Sequence, residues 1–394
     1  MTGHAEGVDP DLARAAARHG IELEYHDIAG RLHRAEPAII REVLDALGAD
    51  PDEDNATDDW QPVVVAWDGT AAALDLPTAA RAIVAPSIEL RLTLEGGTPR
   101  QWRSDASGGR VVLPGELPPG RHRVEIDVGG DTREAIVISA PRLCHRVPQG
   151  PMAWGGFLPL SAIRTQRDWG IGDLTDLDDF ASWLASLGAS VVSTLPLLAA
   201  FSTPPAEPSP YAPASRLFWN EAYVDADRII GDRIAGPPSP ARSPSTGERS
   251  YVDYANVAAR KRDALSPLAL EESSSEFRAW VTHRADAVDY ARFRAAGERF
   301  GRDFRNWPAA WRTAIPDEAL EASAVRWHLW AQWVVERQLL ELASRARSRG
   351  QALLLDLPLG THADGYDTWR YRESFVAGVS LGAPPDTFYA QGQK

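Results

Sequence analysis

Three short, almost unbroken apolar runs limit the fold of this chain more than any other feature: GGFLPL at Gly155–Leu160, SVVSTLPL at Ser190–Leu197 and QALLLDLPLG at Gln351–Gly360. A strand without polar alternation is buried on both faces, and a sheet buried on both faces is a parallel one covered by helices. Asp173–Leu187, between the first two runs, reads as the crossover helix, with acids in its first turn and Phe180, Leu184 and Leu187 along one face. Strand, helix and strand make one unit of a parallel sheet. A long insertion precedes the third run, Pro/Ser-rich at 236–246 and helical over Ser275–Phe300 and Ala319–Ser348. The pattern predicts that 148–394 form the opening of an α/β barrel or doubly wound sheet with a helical insertion. Three parallel strands leave two open edges and a bare apolar face, which is seldom a finished domain. The sequence is therefore expected to stop part-way through this fold.

Two smaller regions come first, so the fold class is multidomain. Over 1–49 the apolar residues recur at helical spacing, at Leu12, Ala15, Ala16 and Ile21 and again at Ile39, Ile40, Val43, Leu44 and Leu47, which predicts a small helical head. The acid-rich DPDEDNATDD at 50–59 lacks the spacing, central Gly and final Glu of a calcium loop and reads as a solvated linker. The runs PVVVAW, SIELRLTL, GRVVLP, HRVEIDV and EAIVIS alternate and are separated by Gly, Pro and Asp turns, predicting a β-sandwich over 60–141.

Composition removes several function classes. Lys and Arg total 41 against 55 Asp and Glu, a net charge of −14, so neither nucleic acid nor an anionic membrane is an expected partner. The single cysteine, Cys144, leaves no intrachain disulfide and fits a reducing compartment, and the first 20 residues have no apolar core of a secretory signal. A cytoplasmic location is expected. GIGDLT at Gly170 lacks the third glycine of a dinucleotide loop, and there is no Walker sequence, His-Glu-x-x-His, Gly-x-Ser-x-Gly or cysteine pair, so no metal and no cofactor is predicted.

What remains are carboxylates and aromatics on loops that follow strands. In EPSPYAPASRLFWNEAYVDADRI, Glu207–Ile229, the prolines exclude a helix. Tyr211, Trp219 and Tyr223 stand there beside Ser209, Arg216 and Asn220, a mixture suited to a sugar, with ring faces against C–H groups and planar polar groups on hydroxyls. The 14 tryptophans are in keeping with this. Asp356 sits near the carboxyl end of LLLDLPLG in the third apolar run, the end where parallel sheets assemble their sites, and a buried carboxylate there needs a partner. Packing for the aromatics and a turn-capping role for Asp356 are the competing structural readings.

Four segments in order, RTQRDWGIGDLTDLDDFASWLASLGA, SPYAPASRLFWNEAYVD, LLLDLPLGTHADGYDTW and GAPPDTFYAQGQ, resemble the 4-α-glucanotransferases, the amylomaltase or disproportionating-enzyme family, over about Ala153–Gln393. The head and sandwich resemble the amino-terminal additions of its actinobacterial members. The resemblance implies a (β/α)8 barrel that transfers α-1,4-glucan segments between maltose, maltotriose and maltodextrins, with retention, through a covalent glycosyl-enzyme. It implies sugar contacts from Tyr211 and Ser209 of the Ser-Pro-Tyr element, from Asp356, and from Asn220 and Tyr223, with Glu221 in place of the family's proline. Ala383–Gln393 match a loop that covers glucan, bringing Asp386 and Phe388, with Thr387 where a bulky residue is common. The family's nucleophile and acid/base carboxylates fall beyond Lys394, so no catalytic residue is assigned and the chain alone is expected to be inactive. The alternative is a non-catalytic glucan-binding or interaction protein derived from that family.

Overall fold

The computed structural model describes residues 8–49, 60, 62–77, 87–97, 99–106, 108–128, 130–144, 153–167, 169–202, 206–233, 251–316, 320–380, 382–383, 386–387, 389 and 392. The expected linker at 50–59 and Pro/Ser-rich loop at 236–246 lie outside them. The chain divides into two compact units, Met1–Gly150 with Gly382–Lys394, and Pro151–Leu381.

The first unit opens with α1 (Pro10–Arg18), capped by Asp9, whose side chain accepts from Asp11 N–H. A hairpin follows, β1 (Glu24–His26) with β2 (Leu32–Arg34), and then α2 (Pro37–Ala46). Leu12, Ala15, Ala16, Ile40 and Leu44 form the core of this region. The head expected to be helical thus contains a hairpin that periodicity could not show, because its strands are too short to alternate. Turn chemistry makes it: Asp27 accepts from the backbone N–H groups of Ala29 and Arg31, both at 2.9 Å, and Gly30 takes φ +75°.

The sandwich is β3 (Val63–Trp67), β4 (Ala73–Asp75), β5 (Ser87–Thr93), β6 (Pro99–Asp105), β7 (Arg110–Val112), β8 (Gly120–Val128) and β9 (Asp131–Ala140). Five strands form one sheet in the order β3-β9-β8-β5-β6, and β4 and β7 form the other. Alternation works as expected along β5 and β8: Ile88, Leu90, Leu92, Val124 and Ile126 turn inward onto Leu74, Leu76 and Val111. The outer face carries cross-strand ion pairs, Glu89 with Arg103 at 3.0 Å and Arg123 with Glu134 at 2.9 Å. β4 and β6 are additions to the expected strands, since PRQWRSD has almost no apolar alternation.

The second unit contains β10 (Gly155–Phe157), α3 (Leu174–Ser186), β11 (Val191–Thr194), α4 (Ala226–Arg233), α5 (Tyr254–Glu271), α6 (Ser275–His283), α7 (Ala285–Phe300), α8 (Ala322–Ser348), β12 (Ala352–Leu355) and α9 (Tyr366–Arg370). The three strands are parallel in the order β10-β11-β12, with Phe157, Ser193 and Leu354 in one row of the register. Val192, Leu353 and Leu355 face the helical layer, and Gly156 lets β10 close on it, since a Cβ there would fall 2.7 Å from Leu184. The opposite face is different. Phe157 is 58% exposed and Leu354 60%, so the expectation of strands buried on both sides is corrected: among the described residues only one face is covered.

One helix expectation also shifts. Asp173 and Asp176 form a reciprocal capping box that starts α3, but its buried stripe is Leu174, Leu177, Ala181 and Leu184, leaving Leu187 exposed. The stretch expected to be helical over Ser275–Phe300 is helical in two elements, α6 capped by Ser274 and α7 beginning after Arg284. Trp307, Trp330 and Trp369 are fully buried and Trp169, Trp327 and Trp333 nearly so, so these six report on the core and not on a ligand.

Candidate functional site

The loops after β11 and β12 meet at the carboxyl ends of their strands. Asp356 follows β12 directly, its backbone N–H donating to Thr194 O at 3.4 Å. Tyr211 Oη donates to Asp356 Oδ2 at 2.7 Å, joining the two loops across the sheet end. That bond and the nearby carboxylate raise the phenol above its ordinary pKa. The expected partner for Asp356 is therefore present, but the carboxylate is exposed and not buried, because it belongs to the uncovered face. Tyr211 is 51% exposed, with its backbone N–H held by Ser209 Oγ at 3.3 Å and Ser209 N–H held by Glu207 Oε1 at 3.2 Å.

The other expected contacts are sorted apart. Tyr223 is only 6% exposed, and burial pushes its hydroxyl well above the ordinary tyrosine range. Asn220 is buried as well, and its Oδ1 accepts from Ala222 N–H at 3.0 Å, capping a 3-10 turn over Glu221–Tyr223. Glu221 fits this turn in place of a proline by pairing with Arg294 at 3.1 Å. Ser209, Asn220 and Tyr223 line a cleft of about 60 Å³, room for a few waters and not for a sugar ring. Trp219 packs partly buried on the core while its backbone is bracketed by the Gln332 amide at 2.9 and 2.8 Å. Arg216 Nη1 is used by Leu359 O at 2.8 Å. Of the three loop aromatics, Tyr211 is the most exposed. Asp386 lies with the first unit, where its Oδ1 accepts from Tyr389 N–H at 2.6 Å, and Phe388 lies outside the described residues.

Beneath the turn is a buried ionic cluster that sequence reasoning passed over. Arg167 reaches Asp176 at 2.6 Å, Asp225 at 3.1 Å and Asp173 at 3.7 Å. Lys261 of α5 is buried with its Nζ donating to Ala222 O at 2.6 Å and Val224 O at 2.7 Å, on either side of Tyr223. Burial lowers this amine to about 8, against the opposing pull of Asp173 and Asp225. Burial, with Asp225 and Asp176 adding like charge, raises Asp173 to about 6. The signal available was the crowding of Asp173, Asp176, Asp178 and Asp179 just after Arg167. No group of three or more His, Cys, Asp or Glu suited to a metal ion occurs among the described residues, and none of their helices is long and apolar enough to cross a membrane.

A family model described as 4-alpha-glucanotransferase matches residues 158–394, and one described as the MalQ N-terminal beta sandwich domain matches 61–141. The chain belongs to the 4-α-glucanotransferase family. It is 31% identical to a 4-alpha-glucanotransferase of Mycobacterium tuberculosis, over 98% of this chain and 60% of the relative, and 25% identical to that of Haemophilus influenzae over the same shares. Its fold is shared with an amylomaltase from Corynebacterium glutamicum, with a TM-score of 0.72 at 22% identity over 97% of this chain and 59% of the other. An amylomaltase from Streptococcus agalactiae, solved in complex with acarbose, matches with a TM-score of 0.51 at 21% identity over 61% of this chain and 52% of the other. The chain thus spans about 60% of the length of the mycobacterial and Haemophilus relatives.

Proposed function

We propose that this family member binds an α-1,4-glucan at the loops following β11 and β12, with one glucose ring against the Tyr211 face and its hydroxyls donating to Asp356. The reading rests on the 2.7 Å Tyr211–Asp356 hydrogen bond, which places an exposed ring and an exposed carboxylate side by side at a strand end. Ser209, Asn220 and Tyr223 then act from below, holding the loop that presents Tyr211. The substrates are maltose, maltotriose and maltodextrins, the setting is cytoplasmic, and the reaction is segment transfer with retention through a glycosyl-enzyme. Retention needs two carboxyl groups about 5–5.5 Å apart, one attacking the anomeric carbon and one protonating the leaving oxygen. Asp356 cannot fill both roles, so residues 1–394 by themselves bind glucan without transferring it. Saturation-transfer NMR with maltotriose should show ring protons of the sugar saturated by the protein, while chromatography of the same sample shows neither glucose nor longer oligomers. Product formation abolished by Asp356→Ala would contradict the inactive reading, and absence of any saturation would contradict the binding one.

A further inference from the structure

The segment after β12 is bonded closely to the loop that carries Tyr211. Thr361 Oγ1 and His362 N–H both donate to Pro213 O, at 2.9 and 2.8 Å, and Tyr366 N–H donates to Ala214 O at 2.7 Å. Gly365 permits this approach, since a Cβ there would fall 2.6 Å from Ala214 O. The Asp367 carboxylate closes the series. Its Oδ1 accepts from Ser215 Oγ at 2.5 Å and its Oδ2 from the Arg216 backbone N–H at 2.7 Å, with Asp367 and Ser215 both buried. Bonds to a charged acceptor away from water are the strong ones, and removing the acceptor would leave the buried Ser215 hydroxyl and the Arg216 backbone N–H without it. Tyr211 and Asp356 lie just upstream of the two bonded segments.

We propose that Asp367 is the positioning residue of the Tyr211–Asp356 pair: by holding Ser215 and Arg216, its carboxylate sets the aromatic loop against the segment after β12 so that phenol and carboxylate meet. The relevance of this to glucan rests on the function proposed above, whereas the positioning itself does not. A residue that only added stability would leave the Tyr211–Asp356 bond unchanged in folded protein.

The Tyr211 phenol reports that bond, because the bond raises its pKa. In the full chain labelled with 13C at tyrosine Cζ, the resonance is assigned with Tyr211→Phe, and Asp356→Ala defines the downward shift that accompanies complete loss. Asp367→Ala removes the acceptor of both bonds, and should reproduce at least half of that shift with an unchanged circular dichroism spectrum. Ser215→Ala, which removes one of the two bonds, should give a smaller shift in the same direction, and it decides the matter if Asp367→Ala does not fold. A Tyr211 titration identical to the wild type in folded Asp367→Ala, or in Ser215→Ala where it decides, overturns the proposal. Maltodextrin affinity is read separately: a wild-type chain that binds no glucan while Asp367→Ala still moves the titration removes the proposed function and leaves the positioning role standing.

Discussion

Lys261 and Asp173, in one buried cluster, carry opposite consequences for stability. Lys261→Met would leave the carbonyls of Ala222 and Val224 without their donor and three buried aspartates short of a cation. Removing one partner from such a cluster costs about 3–5 kcal/mol, so urea unfolding should show a lower midpoint at unchanged slope; a loss under about 1 kcal/mol would mean that the cluster relaxes around the gap. Asp173 behaves in the opposite way. Its folded pKa is raised to about 6 from an ordinary 3.8, so between those values the folded state holds a proton that the unfolded state has released, and stability falls as pH rises through the window. Asp173→Asn keeps the oxygen that caps α3 and discards the buried charge. Relative to the wild type it should gain little near pH 4 and about 3 kcal/mol above pH 6, at about 1.36 kcal/mol per pKa unit. Melting curves across pH check this: the Tm difference should widen as pH rises, and a constant difference would show that Asp173 is not the group responsible.

Among the elements, the sandwich and the parallel sheet differ in how completely they bury their apolar faces. The strands β3 to β9 enclose a closed core between two sheets, so residues 60–141 should unfold cooperatively as an isolated domain, judged by coincident circular dichroism and tryptophan fluorescence transitions. A disordered spectrum would mean that the sandwich depends on the rest of the chain. The β10-β11-β12 sheet instead shows Phe157 and Leu354 on its uncovered face, with Leu359 88% exposed beyond it. An apolar dye should bind the full chain there. Leu354→Lys should weaken that fluorescence and any self-association, with stability changed by less than about 0.5 kcal/mol because the side chain is already exposed. Dye binding unaffected by this substitution would place the accessible apolar surface elsewhere.

For the whole molecule, the division between what the sequence displayed and what it concealed follows the range of the interactions involved. Unbroken apolar runs and strict alternation are local, and they located the parallel strands and most of the sandwich. Tyr211 and Asp356 were each singled out in the sequence, one on a stiff loop and one near a strand end, but the hydrogen bond that joins them was not, because 145 residues separate them. Trp219 and Tyr223 were indistinguishable from Tyr211 in the sequence, because the bonds that hold their backbone come from distant residues: Gln332 of α8 to Trp219, and Lys261 of α5 to the carbonyls on either side of Tyr223. Asp367 was hidden for the same reason: its partner Arg216 is 151 residues away. Whether Tyr211 is a platform for glucose is decided by calorimetric titration of the full chain with a long maltodextrin, comparing wild type and Tyr211→Ala. Loss of one stacked ring face, on the order of 1–3 kcal/mol by analogy with base stacking, should weaken binding by about 5- to 150-fold with the Tm unchanged within a few degrees. Saturable binding that is equally tight in Tyr211→Ala, or no binding by the wild type at millimolar glucan, would show that the ring is not a sugar platform.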